Sequence, residues 1–286
     1  MKTNNDYRNL NAKMSYTAFK KIFGVAYLGG VSTSHKLDLS EQAGTLTYGL
    51  YLAPWNLSGY NVCAGGAHCH KYCLNGSGQN KIDQLAHGVG VSKIDLSRIK
   101  KTRLFYENRP LFMRVLIHEI KRAQNRAKEM NLNFAVRLNC TSDLSPELFK
   151  DPETGLNILQ LFPDVQFYDY TKVAGRLSIL NKYSNYDLTF SYDGYNWDTA
   201  QKFLQAGGRV AVVFYKQHVL PLSFAGYNVI DGNKYDMRYI DPAGVIVGLF
   251  YHTTGANYKT VDGVRVYEAP KNDFVVFPEN KMVKYA

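Results

Sequence analysis

Five short apolar runs that each end in polar residues, with helical stretches between them, constrain this chain more than any other feature. Residues 45–53 (TLTYGLYLA) are rich in β-branched and aromatic side chains and are stopped by Pro54. Residues 133–139 run into the polar turn 140–143, residues 165–170 lead into Thr171 and Lys172, and residues 187–191 lead to Asp193. The fifth, 209–214 (RVAVVF), is apolar enough to be buried on both faces. In residues 109–130, Leu111, Val115, Ile120, Ala123 and Ala127 recur at near-helical spacing. Ser145 with Pro146 and Glu147 reads as a helix start, 156–162 and 197–205 as helices, and Gly207 with Gly208 as a C-cap. This alternation predicts an α/β fold with parallel strands, a (β/α) barrel or partial barrel.

The rest is less patterned. Residues 1–43 read as an irregular N-terminal arm with a turn at Gly29 and Gly30, residues 79–88 as a short helix and 88–90 as a turn. Beyond Tyr227 the chain is turn-rich, then strand-like at 244–252 and 264–267, which would close or cap the sheet. With no repeat and no linker, residues 44–286 are expected to form a single domain. No apolar run approaches the roughly 20 residues that cross a bilayer. The N-terminus lacks the apolar segment of a secretory signal, so a reducing cytoplasm is expected, where four cysteines serve in ligation or burial rather than in disulfides. A formal charge of +10 favours a polyanionic partner, nucleotide or nucleic acid, although basic residues spread along the chain also describe an ordinary solvated surface.

The densest chemistry lies in NVCAGGAHCHKYCLN, residues 61–75. Cys63, Cys69 and Cys73 form a C-x5-C-x3-C run, with His68 and His70 inside it, directly after the first expected strand. Three thiolates on one loop suit a four-iron cluster with an open position. Alternatively His68, His70 or Cys140 completes a tetrahedral zinc site, and small buried thiols are the remaining reading. Arg137, Asn139, Ser142 and Asp143 cluster at a strand end and suit a carboxylate, ribose or phosphate, or else cap the next helix. Asp169, Tyr170 and Lys172 share a strand tip, with Asp169 and Tyr170 on opposite faces, and Ser191 ends another strand. Asp236 and Arg238, two apart, would form an ion pair or touch a ligand. No nucleophile and base stand out as a catalytic pair.

The motifs YNVC…C…CLNGSG (60–78), KKTRLF (100–105), AVRLN-x-TSD (135–143), FPDVQFYDYTK (162–172), YDLTFSYD (186–193), VAVVF (210–214) and VIDGNKYDMRYIDPAGVIVGL (229–249) together resemble the bacteriophage gene product 88 family. That resemblance implies a phage protein working in the bacterial host cytoplasm. The placement of the cysteine loop is also similar to that of radical S-adenosylmethionine enzymes, whose usual spacing is C-x3-C-x2-C. It implies an iron-sulfur enzyme on a partial barrel, with S-adenosylmethionine as cofactor, and the positive charge points to a nucleotide or nucleic acid as its substrate. A zinc-stabilised, non-catalytic protein that binds nucleic acid or a host factor is the alternative.

Overall fold

Three residues, Gly29–Val31 (β1), pair antiparallel with Thr45–Leu50 (β2), Gly29 opposite Leu50 and Val31 opposite Tyr48. This is a computed structural model; it describes residues 7–23, 27–66, 68–70, 73, 75, 80, 91–215, 219–251, 258–261, 264–267 and 274–285. The chain divides into two units, Met1–Ala64 with Val91–Phe167, and Gly65–Gly90 with Tyr168–Ala286. The expected helix at 79–88 and turn at 88–90 lie outside the described residues, apart from Asn80.

In the first unit every residue of β2 is buried, as suits a central strand. It runs parallel to Asn133–Arg137 (β3), in register from Thr45 with Asn133 to Gly49 with Arg137. Strand β3 in turn pairs in parallel with the start of Gln166–Thr171 (β4), at Gln166 and Phe167. Among the described residues five α-helices accompany these strands: Tyr16–Phe23 (α1), His35–Gln42 (α2), Lys93–Glu107 (α3), Arg109–Glu129 (α4) and Ile158–Leu161 (α5). Helix α4 starts where Asn108 accepts a hydrogen bond from Leu111 N, and it buries the expected Leu111, Val115, Ile120, Ala123 and Ala127 together with Phe112 and Leu116. Each large aliphatic side chain on that stripe contributes about 1.5–3 kcal/mol by leaving water. Helix α3 opens with a reciprocal capping box between Ser92 and Asp95.

The second unit contains residues 168–171 of β4, Tyr186–Ser191 (β5), Trp197–Gln205 (α6), Arg209–Phe214 (β6), Ser223–Phe224 (β7), Tyr227–Asp231 (β8), Ile246–Phe250 (β9), Tyr258–Val261 (β10), Val264–Tyr267 (β11), Val275–Val276 (β12) and Val283–Lys284 (β13). Its strand order is β4-β5-β6-β9-β8-β7-β13, with β12 beside β6 and with β10 and β11 forming a separate hairpin. The pairs β5–β6, β6–β9, β8–β9 and β12–β6 are parallel, whereas β7–β8 and β13–β7 are antiparallel. Helix α6 ends as its sequence predicts: Gly207 has φ +80, and Gly207 N and Gly208 N donate to Leu204 O and Phe203 O.

The fold is thus mixed α/β, and it departs from expectation in three ways. The strand paths have ends, β1 in the first unit and β13 in the second, so neither closes into a barrel. The pairing is not purely parallel: β1 lies antiparallel to β2 across a connection that holds α2, and β7 returns to β8 through the two-residue turn Ala225–Gly226, which only antiparallel pairing allows. Residues 7–43 are not an irregular arm, since they hold α1, β1 and α2 and bury Phe19, Phe23, Leu28 and Leu37 to 1% exposure or less. Phe19 stacks on Phe23 with centroids 4.7 Å apart. Phe19→Ala should therefore cost about 3–5 kcal/mol in urea denaturation, the usual penalty for emptying a buried phenyl site, where a residue of a frayed arm would change nothing.

Candidate functional site

The carboxyl ends of β2 and β3 are stitched together by their own backbone continuations. Cys140 N donates to Leu50 O and Asp143 N to Val62 O, and the Thr141 hydroxyl donates to Leu52 O at 2.6 Å. Ala53 N donates to the Thr102 hydroxyl of α3 at 2.8 Å. This edge of a parallel sheet is where strand dipoles, loops and helix starts leave room for ligands. It is also where the sequence placed Arg137, Asn139, Cys140, Ser142 and Asp143.

Those residues divide into two groups. Asn139 is 3% exposed and spends its amide inside the turn, donating to Leu144 O and accepting from the Ser142 hydroxyl and Leu144 N. Asn139 and Ser142 thus shape the loop, and Asp143 forms a parallel bridge with Cys63. Arg137 and Cys140 instead stand at Tyr51, one residue past β2. Burial pushes the Tyr51 phenol above its ordinary range and nearby Cys140 adds to the rise, while hydrogen bonds with Ser34 and Thr33 and the charge of Arg137 oppose it. The Arg98 guanidinium lies over the Tyr51 ring, 5.3 Å from its centroid. Ser34 is also the N-cap of α2, accepting from Leu37 N.

Tyr51, Thr33, Ser34, Arg98 and Lys101 were not singled out by sequence. The available signal was the S-x-x-D box at Ser92 to Asp95, which announces α3 and so places Arg98 and Lys101 on one helical face. Lys101 is only 9% exposed. Burial lowers its ammonium to about 8, with attraction from Glu119 opposing the fall and repulsion from Arg98 adding to it. Two guanidiniums, Arg98 and Arg137, and the hydroxyls of Tyr51, Thr33 and Ser34 around one strand end are chemically able to hold an anion.

Positive charge is not spread evenly either. Between Lys93 and Glu129, the α3–α4 stretch, eleven Lys and Arg stand against four Asp and Glu. Arg103 pairs with Glu107 and Arg114 with Glu153. On the second half of α4, Lys121, Arg122, Arg126 and Lys128 are exposed, and among the described residues none has a carboxylate within 4.0 Å.

The cysteine run falls across the division of the chain, Cys63 in the first unit and Cys69 and Cys73 in the second. All four cysteines are half-buried and outside any disulfide. Cys63 Sγ accepts from Trp55 N at 3.3 Å and lies 4.0 Å from Thr141 O. In the second unit, Cys69 Sγ donates to Gly66 O at 3.7 Å, Cys73 N donates to His70 O, and the His68 ring packs on Tyr195 at 4.4 Å. Gly65 presses on the Lys172 backbone so closely that a Cβ would come within 2.7 Å of it, which only glycine tolerates. Among the described residues, no three His, Cys, Asp or Glu side chains are placed to hold one metal ion. The iron-sulfur and zinc expectations therefore rest on the cysteine run in the sequence, and the S-adenosylmethionine expectation on its placement after the first strand.

The remaining candidates of the second unit enter its packing. Asp169, 1% exposed, accepts from the Tyr186 hydroxyl at 3.2 Å, and Tyr186 in turn accepts from Arg176. Tyr170 sits half-buried on the opposite strand face, as the alternation requires. Lys172 Nζ is 5.9 Å from the Phe274 ring, and Ser191 O accepts from the Asn196 amide. Asp236 accepts from the Tyr168 hydroxyl at 3.3 Å, while Arg238, fully buried, pairs at 3.2 Å with Asp241 and donates to Tyr235 O. Arg209 joins Asp187 at 2.6 Å and also donates to Asp241 O. Burial raises the carboxyls of Asp187 and Asp241, opposed in each case by the neighbouring arginines. Asp187, Arg209, Arg238 and Asp241 lie at the amino ends of β5, β6 and β9, away from the edge where ligands gather, whereas Tyr170, Lys172 and Ser191 stand at the carboxyl ends of β4 and β5.

Two measurements check this assignment. The amine of Lys101 is charged in the folded state only below about pH 8, yet in the unfolded chain up to about 10.5. Its burial cost is therefore in full force below pH 8 and is relieved as pH rises from 8 to 10.5, so stability should climb through that window. Lys101→Met should remove the climb and add about 3 kcal/mol at pH 7, read from denaturant melts at several pH values. For the cysteines, anaerobic purification followed by metal analysis of the wild type and Cys69→Ser decides. Iron or zinc that disappears in the variant is the outcome expected of ligation, and equal metal content in both excludes it.

Comparison with known proteins returns no match among curated proteins and none among solved structures. A family model described as gene product 88 matches residues 28–263, a stretch that covers the β1–β4 sheet, the Tyr51 cluster, the cysteine run and most of the second unit. The chain belongs to the gene product 88 family.

Proposed function

We propose that this protein binds nucleic acid, with the phosphate backbone lying along α4 of the first unit. The observation that carries the reading is the cationic face of that helix, whose four cations have no carboxylate within 4.0 Å among the described residues. Lys121 and Lys128 stand seven residues apart in one row, and Arg122 and Arg126 stand four apart in the next. Four neighbouring exposed cations attract a polyanion over several ångströms and release its counterions on binding. Such a face keeps its charge because α4 is anchored from beneath by an apolar stripe, so the cations need no partner within the unit. The Tyr51 cluster offers a second point in the same unit for a phosphate, held by Arg98 and Arg137 with the Thr33 and Ser34 hydroxyls.

The reading is one of binding, and it assigns no catalytic residue. It has a direct test in fluorescence anisotropy with a labelled DNA duplex across a salt series. Affinity should fall steeply with salt, and the double variant Lys121→Gln, Lys128→Gln should reduce the slope of log K against log salt by about 2, since each lysine that no longer neutralises a phosphate takes away about one. An affinity that does not respond to salt, or a double variant with the wild-type slope, would sink the proposal.

A further inference from the structure

Beside the cationic face, the first unit holds a cavity of about 620 Å³, a size that suits a nucleotide-sized ligand. Its wall is built from α1 (Tyr16), the approach to β1 (Tyr27) and the backbone of Gly29 and Gly30. Its rim is α4, through Arg122, Asn125, Arg126 and Glu129, two cations to one carboxylate. At its floor lies the carboxylate of Glu119, 5% exposed, which accepts hydrogen bonds from Leu28 N, Gly29 N and the hydroxyls of Tyr48 and Tyr16.

We infer that this cavity takes one unstacked nucleotide of a single strand, its base inside against Tyr27 and its phosphate outside on Arg122 and Arg126. The inference rests on the nucleic-acid reading above and names the part of the ligand that enters. Three features fix the orientation. A negative floor turns away an anionic group, so the inner end of the ligand is neutral. The rim guanidiniums, four residues apart and free of carboxylate partners among the described residues, match the geometry of a phosphate. The Tyr27 ring is 49% exposed, open to stacking, while the Tyr16 ring lies under Arg122 at 5.7 Å. Gly30 keeps Tyr27 in place, since a Cβ there would come within 3.4 Å of its ring and 2.9 Å of Thr33 Cγ2.

The test compares a labelled oligothymidylate, a labelled duplex and thymidine monophosphate on the wild type and on Tyr27→Ala and Arg126→Gln, both substitutions of exposed side chains. Thymidine monophosphate should compete with the oligothymidylate. Tyr27→Ala should weaken the single strand about tenfold and leave the duplex unchanged, while Arg126→Gln weakens both. Unchanged single-strand affinity in Tyr27→Ala, with α4 charge variants still losing DNA, overturns the cavity proposal and leaves the binding face standing. Thymidine monophosphate that binds a protein with no DNA affinity, and is lost in Tyr27→Ala, does the reverse. No binding of any of the three probes removes both.

Discussion

One buried carboxylate organises the first unit. Leaving an acidic group away from water costs several kcal/mol unless its oxygens are fully hydrogen-bonded. Glu119 meets that demand with donors from separate parts of the chain: the Tyr16 hydroxyl of α1, the backbone of Leu28 and Gly29 at the start of β1, and the Tyr48 hydroxyl of β2 at 2.6 Å. The same bonds act on the tyrosines. Burial, with the charge of Glu119 beside it, raises the Tyr16 phenol to about 12 and pushes the Tyr48 phenol well above its ordinary range, so both remain donors. With Glu119 turned inward, the phase of α4 is fixed. Ile120, Ala123 and Ala127 follow it into the core, and Lys121, Arg122, Arg126 and Lys128 are forced outward. The cationic face is thus a geometric consequence of the anionic centre beneath it.

What the sequence disclosed was local. Strand β6, strand β11 and helix α6 lie where apolar runs and the Gly207–Gly208 pair put them, because each is fixed by a contiguous pattern and a nearby stop. Strand β2 ended earlier than its apolar run, since residues 51–53 continue as a buried connection rather than as ladder. Helix α3 was hidden because its buried set includes Asp95, Lys101 and Thr102, which break the apolar rhythm that reveals α4. Residues 7–43 were hidden for a different reason. Their elements are short, and their order comes from partners such as Glu119 that lie about a hundred residues further on.

The same split runs through the candidate site. Arg137 and Cys140 could be read as strand-end residues, and they do stand at the carboxyl edge beside Tyr51. Their neighbours Asn139 and Ser142 look equally suited to ligands in one dimension, yet they are consumed by the turn they form. In the second unit, Arg238 and Asp236 are two apart in sequence but do not choose each other: Arg238 faces Asp241, and Asp236 faces Tyr168. Sequence proximity suggested partners that the fold does not use, because a three-residue helical turn at Arg238–Ile240 redirects the chain between them and Asp241.

The shortness of β1 has its own effect on how the protein behaves in a crowded solution. As the terminal strand of the first unit's sheet it covers the outer edge of β2 at Tyr48, Gly49 and Leu50, and it offers only three residues of ladder beyond itself. An edge that short gives a foreign strand too few backbone groups to zip onto. The glycine-rich segment that walls the cavity therefore also works as a guard rail, keeping a wholly buried, β-branched and aromatic strand from recruiting copies of itself.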